Sequence, residues 1–176
     1  FFRRIDSALQ TVLRDNTTPL LLAGVEYLSP IYRGIATYPH IVEHELVGNC
    51  DILSAHQIHQ QVWPLMEPLF QQARQDAVAK YDRLAGSKKT SDDICQIVRA
   101  AHEGRIETLF VNVRAFQWGR FNADTAKVEL HDNAESGDDE LLDLAVTQTL
   151  LHRGTVCSVE REEAPSEAIA AAVFRS

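Results

Sequence analysis

The sequence predicts an α/β domain, or its α+β variant, built on a mixed sheet covered by helices. Three observations carry that expectation. The stripe Ile94, Ile97, Val98 and Ala101 has helical spacing and runs straight into the strand-like Gly104-Arg-Ile-Glu-Thr-Leu-Phe-Val111. The same order recurs when the apolar Leu141-Leu-Asp-Leu-Ala-Val-Thr-Gln-Thr-Leu-Leu151 is followed by Gly154-Thr-Val-Cys-Ser-Val159. Finally, Ala168-Ile-Ala-Ala-Ala-Val-Phe174 is a short continuous apolar run, the pattern of a strand with both faces covered.

In chain order, Ile5, Leu9, Val12 and Leu13 predict a first helix near Arg3 to Asp15, stopped by Asn16-Thr-Thr-Pro19. Leu20-Leu-Leu-Ala-Gly-Val25 has the length and character of a strand inside a sheet covered on both faces. From Ser29-Pro30 to Asn49 the pattern is irregular, so a domain boundary is expected near Gly48 to Leu53. That gives residues 1–48 as the remnant of an upstream α/β domain, 49–53 as linker, and 54–176 as the main domain. Ser54-Ala-His-Gln57 has the form of a capping box opening a long helix toward Leu84, with a kink or break expected at Pro64 and Pro68.

Gly86-Ser-Lys-Lys89 is a turn, Ser91 is the expected cap of the next helix, and Gly104 closes that helix in the left-handed conformation. A strand over Arg105 to Val113 is followed by a hairpin of Phe116–Phe121 and Lys127–His131 around Asn122-Ala-Asp124. Asp132 to Glu140 is an acidic loop whose Asp138 or Asp139 caps the helix running to about His152. Strands Thr155–Val159 and Ala168–Phe174 complete the order α-β-ββ-α-β-β.

With 176 residues and 45% hydrophobic side chains the chain buries a proper core. No apolar run approaches the length of about 18 residues needed to span a bilayer, so no membrane partner is expected. Phe1-Phe2-Arg3-Arg4 opens without Met inside an amphipathic pattern, which predicts that an upstream part has been removed. Three widely spaced cysteines suit a reducing cytoplasm. The net charge of −8 divides as 4 basic against 6 acidic residues up to Leu53, 9 against 7 from Ser54 to Arg120, and 4 against 12 beyond. The chain as a whole lacks the concentrated cationic face of a nucleic-acid-binding domain, which leaves a local patch or a basic protein surface as the electrostatic options.

No catalytic, cofactor-binding or metal-binding set is assigned. His40-Ile-Val-Glu-His44 matches the pattern of inverted zinc peptidases, but it follows Pro39 in a loop or short helix and has no third ligand. His56 and His59 are expected at the surface of the long helix. The run Arg114-Ala-Phe-Gln-Trp-Gly-Arg-Phe121 interleaves cations with aromatics, a chemistry that stacks bases and grips phosphates. Arg114, Trp118 and Arg120 are therefore the candidate nucleic-acid or partner contact, weighed against a plain hairpin whose Phe116 and Phe121 fill the core while the arginines face solvent. Asp132 to Asp143 carries six carboxylates but lacks the register of a calcium loop, so a solvated mobile loop is expected. Cys157, with no cation nearby in sequence, is expected to be a core thiol.

Gly104-Arg-Ile-Glu-Thr-Leu-Phe-Val111, following a helix, resembles the third domain of archaeal and eukaryotic peptide-chain release factors and Pelota. Pro19-Leu-Leu-Leu-Ala-Gly-Val25, Tyr32-Arg33, Tyr38-Pro39-His40 and Gly48-Asn49, together with the four C-terminal stretches, extend the similarity over nearly the whole chain to the bacterial archaeo-eukaryotic release-factor-like group. The resemblance implies that the chain opens with the tail of an RNase H-like domain lacking its active site. A third domain with the fold of the kink-turn-binding ribosomal proteins then follows.

In the release factors a Gly-Gly-Gln loop drives peptidyl-tRNA hydrolysis; this sequence has none, so that activity is not carried over. The implied role is a non-catalytic, translation-associated module contacting the ribosome, rRNA or tRNA, or a translation factor. Two alternatives are an enzyme of compact trimeric α/β fold, resembling chorismate mutases, with an inter-subunit anion site drawn from Arg99, Arg105, Arg114 and Arg120, and a homo-oligomerisation domain.

Overall fold

Helix α1 (Phe2–Val12) opens the computed structural model, which describes residues 1–13 and 17–175. The end of the helix expected over Arg3 to Asp15 lies outside the described residues. The chain divides into two units, Phe1–Gln71 and Gln72–Ser176.

In the first unit Ile5 and Leu9 of α1 line an apolar hollow with Leu20 and Leu22 of β1 (Leu20–Gly24) and Leu28 and Tyr32 of α2 (Leu28–Arg33). Among the described residues β1 pairs in parallel with β2 (Ile41–Val47) alone, in a two-stranded sheet. The parallel pairing needs a crossover between the strands, and α2 supplies it. The expected irregular stretch is therefore a helix and a strand, and β1 is half-buried rather than covered on both faces. One polar group anchors this unit: Asp6, buried on α1, accepts hydrogen bonds from the Thr37 hydroxyl at 2.6 Å and the Thr37 amide at 3.1 Å. These bonds, the hydroxyl's first, hold its carboxyl below the usual range against the opposing effect of burial.

Residues Cys50–Ile52 form a 3-10 turn capped by Asn49. α3 (Ala55–Leu84) then starts on a reciprocal cap, the Gln57 amide donating to Ser54 Oγ at 3.3 Å and the Ser54 amide to Gln57 Oε1 at 2.9 Å. Pro64 and Pro68 both lie inside α3, yet the helix is unbroken over its 30 residues. Proline's fixed φ is itself helical, so each costs a lost hydrogen bond and a crowded carbonyl without forcing the chain out of the helix. On either side of the prolines the helix carries a ladder of rings. His59 stacks on Trp63 at 5.7 Å, and Trp63 on Phe70 at 5.9 Å.

The second unit is the expected mixed sheet covered by helices. Its central sheet has the order β3-β9-β4-β8, from Thr90–Ser91, Ala170–Phe174, Ile106–Asn112 and Thr155–Val159, with β4 parallel to β8 and antiparallel to β9. Alternation along β4 sends Leu109 to one face and Phe110 to the other. Leu109 and Ala172 pack with Ile97, Val98 and Ala101 of α4 (Ile94–His102) and Leu141, Leu142 and Ala145 of α5 (Leu141–Leu151). Phe110, Ala171 and Val173 meet Tyr81 and the last turns of α3 on the opposite face. The alanines of β9 leave room for helices on both sides, the physical content of the apolar run Ala168–Phe174.

Two caps differ from expectation. Asp93 rather than Ser91 caps α4, accepting from the Cys95 amide at 2.8 Å, and Glu140 rather than Asp138 or Asp139 caps α5. Gly104 ends α4 as expected, at φ 68°. An antiparallel sheet of order β6-β5-β7 (Lys127–His131, Trp118–Asn122, Asp139–Glu140) completes the unit.

Candidate functional site

The β5–β6 hairpin pairs Trp118 with His131 and Arg120 with Glu129. Between them Gly119 is buried, and a Cβ there would lie 2.1 Å from the Glu129 carbonyl and 2.8 Å from Leu141 Cδ1. Only glycine lets this strand close on its neighbours, and the alternation places Trp118 and Arg120 together on the other face.

That face is organised by a buried carboxylate. The Asp138 side chain is 1% exposed. Arg120 Nε donates to its Oδ1 at 3.1 Å, while His131 Nδ1 at 2.8 Å and the Glu135 amide at 2.9 Å reach Oδ2. Arg120 also donates from Nη2 to the Ser136 carbonyl at 2.7 Å. Burial pushes the Asp138 carboxyl up, but the hydrogen bonds from His131, the Glu135 amide and Arg120, with the charge of His131, prevail and hold it below its ordinary value. His131 is correspondingly raised, first by the hydrogen bond to Asp138 against the opposing desolvation, then by the charges of Asp138 and Glu135. The acidic stretch expected as a solvated mobile loop is thus folded around one of its own carboxylates.

The three sequence-derived contact residues stand in different circumstances. Trp118 is half-buried and Arg120 is tied to the acidic loop. Arg114 is exposed and pairs with Glu160 through Nε at 3.1 Å and Nη2 at 3.3 Å, a surface pair of about 0–1 kcal/mol at most. Phe121 packs against the core as the plain-hairpin alternative requires, whereas Phe116 is 68% exposed and does not.

The histidine motif does not survive the fold. His40 immediately precedes β2 and His44 lies within it, so extended backbone sets them roughly 13 Å apart rather than one helical turn. Helical i, i+4 spacing is what that zinc motif requires. His56 and His59 are exposed on α3, and His59 is engaged in the ring ladder. Among the described residues no group of three or more His, Cys, Asp or Glu side chains is placed to hold a metal ion. Cys157 sits half-buried in β8, where desolvation pushes its thiol pKa up against a weaker opposing effect of Arg74. It is a packing thiol, without the low pKa of a nucleophile.

The four arginines of the enzyme alternative fall into separate places. Arg99 and Arg105 line an open cavity of about 530 Å³ that neither Arg114 nor Arg120 reaches. Lys88, from the Gly86–Lys89 turn, joins them there. Its signal was the turn itself, since Gly86 at φ 75° folds Lys88 back toward α4.

A search of curated protein sequences gives no match. Among solved structures, a chain of the model of ribosome-bound archaeal Pelota and ABCE1 matches with a TM-score of 0.55 and 17% identity, covering 100% of this chain and 48% of that one. The crystal structure of Archaeoglobus fulgidus Pelota is 16% identical with a TM-score of 0.38, covering 99% of this chain and 53% of that one. The chain therefore spans about half the length of these structures. The first match extends the likeness of fold over the mixed α/β arrangement. The family model for bacterial archaeo-eukaryotic release factor family 3 matches residues 1–105, which include Tyr38-Pro39-His40 and Gly48-Asn49. The chain belongs to bacterial archaeo-eukaryotic release factor family 3.

Proposed function

We propose that this chain is a non-catalytic binding module of a translation-associated protein that works in the cytoplasm and contacts the ribosome, its RNA or tRNA, or a translation factor. The observation that carries the reading is family membership joined to a fold likeness, over the whole chain, with a structure described as ribosome-bound. The absence of Gly-Gly-Gln from the sequence favours contact over peptidyl-tRNA hydrolysis. On this reading residues 1–48 are the tail of an RNase H-like domain, 49–53 a linker, and 54–176 a third-domain module. Arg114 and Trp118 offer the exposed cation and half-buried ring of the contact face, with Arg120 holding that face to the acidic loop.

Sedimentation through a sucrose gradient with purified bacterial ribosomes, at low and high salt, tests this. Co-migration at low salt that is released at high salt is the expected outcome, because contacts to phosphate release counterions. Free protein in every fraction at low salt, for this chain and for a longer form carrying upstream sequence, refutes it.

A further inference from the structure

We propose that the cleft between the Gly86–Lys88 turn and the last turn of α4 binds a phosphomonoester, with Lys88 and Arg99 as its cationic ligands. The cleft of about 530 Å³ is lined by Lys88, Arg99 and Arg105 against one carboxylate, Glu103. Glu103 is already committed, forming an ion pair with Arg105 at 2.5 Å, and the Arg105 guanidinium lies 5.8 Å over the Phe174 ring. Lys88 and Arg99 are left without a carboxylate partner among the described residues of a chain whose net charge is −8.

Arg99 carries the stronger argument. Its Nε is shielded from solvent and has no acceptor. A cation in the last turn of a helix ordinarily serves the exposed carbonyls there. In α4 those carbonyls are already occupied: Arg99 O accepts from the Glu103 amide, Ala101 O from Gly104 and Ala100 O from Arg105 at 2.8 Å. The helix end accounts for a cation at this position and leaves its buried donor unexplained.

The neutral polar side chains of the lining are also engaged. The Ser87 and Thr90 hydroxyls donate to Leu84 O, and the Gln96 amide donates to Asp93. Recognition therefore falls to two cations, whose summed charge matches the charge of −1.5 to −2 that a phosphate monoester carries near pH 7. A guanidinium prefers such an oxyanion in a forked geometry, and the cleft is roomy enough to take the group that bears the phosphate. The inference stands on this geometry and is independent of any ribosome contact.

Amide shifts in two-dimensional NMR of this chain, titrated with AMP and separately with adenosine, test the proposal. AMP is expected to move the amides of residues 86–90 and 99–105, with adenosine at the same concentrations leaving them in place. Arg99→Gln and the exposed Lys88→Glu are each expected to weaken AMP at least tenfold. A tetrauridylate carrying a 5′-phosphate, compared with the same oligomer without it, distinguishes a free nucleotide from a nucleic-acid end as the source of the group. Preference for the phosphorylated oligomer, with or without AMP binding, supports the site. Equal response to AMP and adenosine with no oligomer preference, shifts confined to other residues, or unchanged affinity in folded Lys88→Glu and Arg99→Gln overturns it.

Discussion

Thr149→Val is expected to stabilise the second unit. Thr149 is 1% exposed on α5, and its hydroxyl has no hydrogen-bond partner among the described residues. A buried hydroxyl left unsatisfied costs about 1–3 kcal/mol, and valine replaces it with a methyl of nearly the same shape while keeping the β-branch. The retained methyl matters because Thr149 Cγ2 is packed where a Cβ on Gly154 would come within 2.6 Å. Repacking a methyl into the hydroxyl's place consumes part of the gain, so a net of about 1–2 kcal/mol is expected. For a unit of this size that corresponds to a rise in Tm of roughly 4–8 °C.

Urea unfolding followed by circular dichroism measures it, with the midpoint moving up and the slope m unchanged. Thr149→Ala is the control, removing both branches and losing stability. A Thr149→Val protein that is about 1 kcal/mol or more less stable than the parent shows that the hydroxyl is satisfied, and sinks the reasoning.

Two further predictions concern the β5–β6 hairpin. Gly119→Ala should destabilise the second unit by about 3 kcal/mol, because the added Cβ meets a backbone carbonyl that cannot move aside without opening the strand pair. A melting temperature within 1 °C of the parent would contradict that. The His131–Asp138 pair should leave a signature in pH. The raised His131 contributes stability that is full below its unfolded pKa of about 6.5 and is lost as pH rises through the folded value. The depressed Asp138 contributes stability present above its unfolded pKa of about 3.9 and lost as pH falls through the folded value. The stability gap between the parent and His131→Gln should therefore be widest between about pH 4 and 6.5 and narrow on either side. A gap independent of pH removes the ion pair from the account.

What the sequence disclosed depended on how local the determining physics was. The stripe Ile94, Ile97, Val98 and Ala101, the Ser54–Gln57 cap and the left-handed Gly104 are all set within a few residues, and each was legible. β2 was hidden because Ile41-Val-Glu-His-Glu-Leu-Val47 mixes acidic groups and a histidine into a half-buried strand and shows no clean alternation. Which carboxylate of the acidic loop is buried could not be read from composition. The choice of Asp138 is made by Arg120 and His131, and those two meet it only once the register of β5 against β6 is fixed. The cleft escaped for the same reason, since a turn at Gly86 rather than any sequence spacing brings Lys88 to Arg99.

The ring ladder of α3 has a practical consequence for optical work. The sequence contains two tryptophans, and they fall one to each unit: Trp63 in the ladder, 42% exposed, and Trp118 half-buried in β5. Removing either by Trp→Phe leaves a protein whose tryptophan emission, excited selectively over tyrosine, reports a single unit with no attached dye. Paired denaturant curves from the two variants then reveal directly whether both units lose their structure together or in succession.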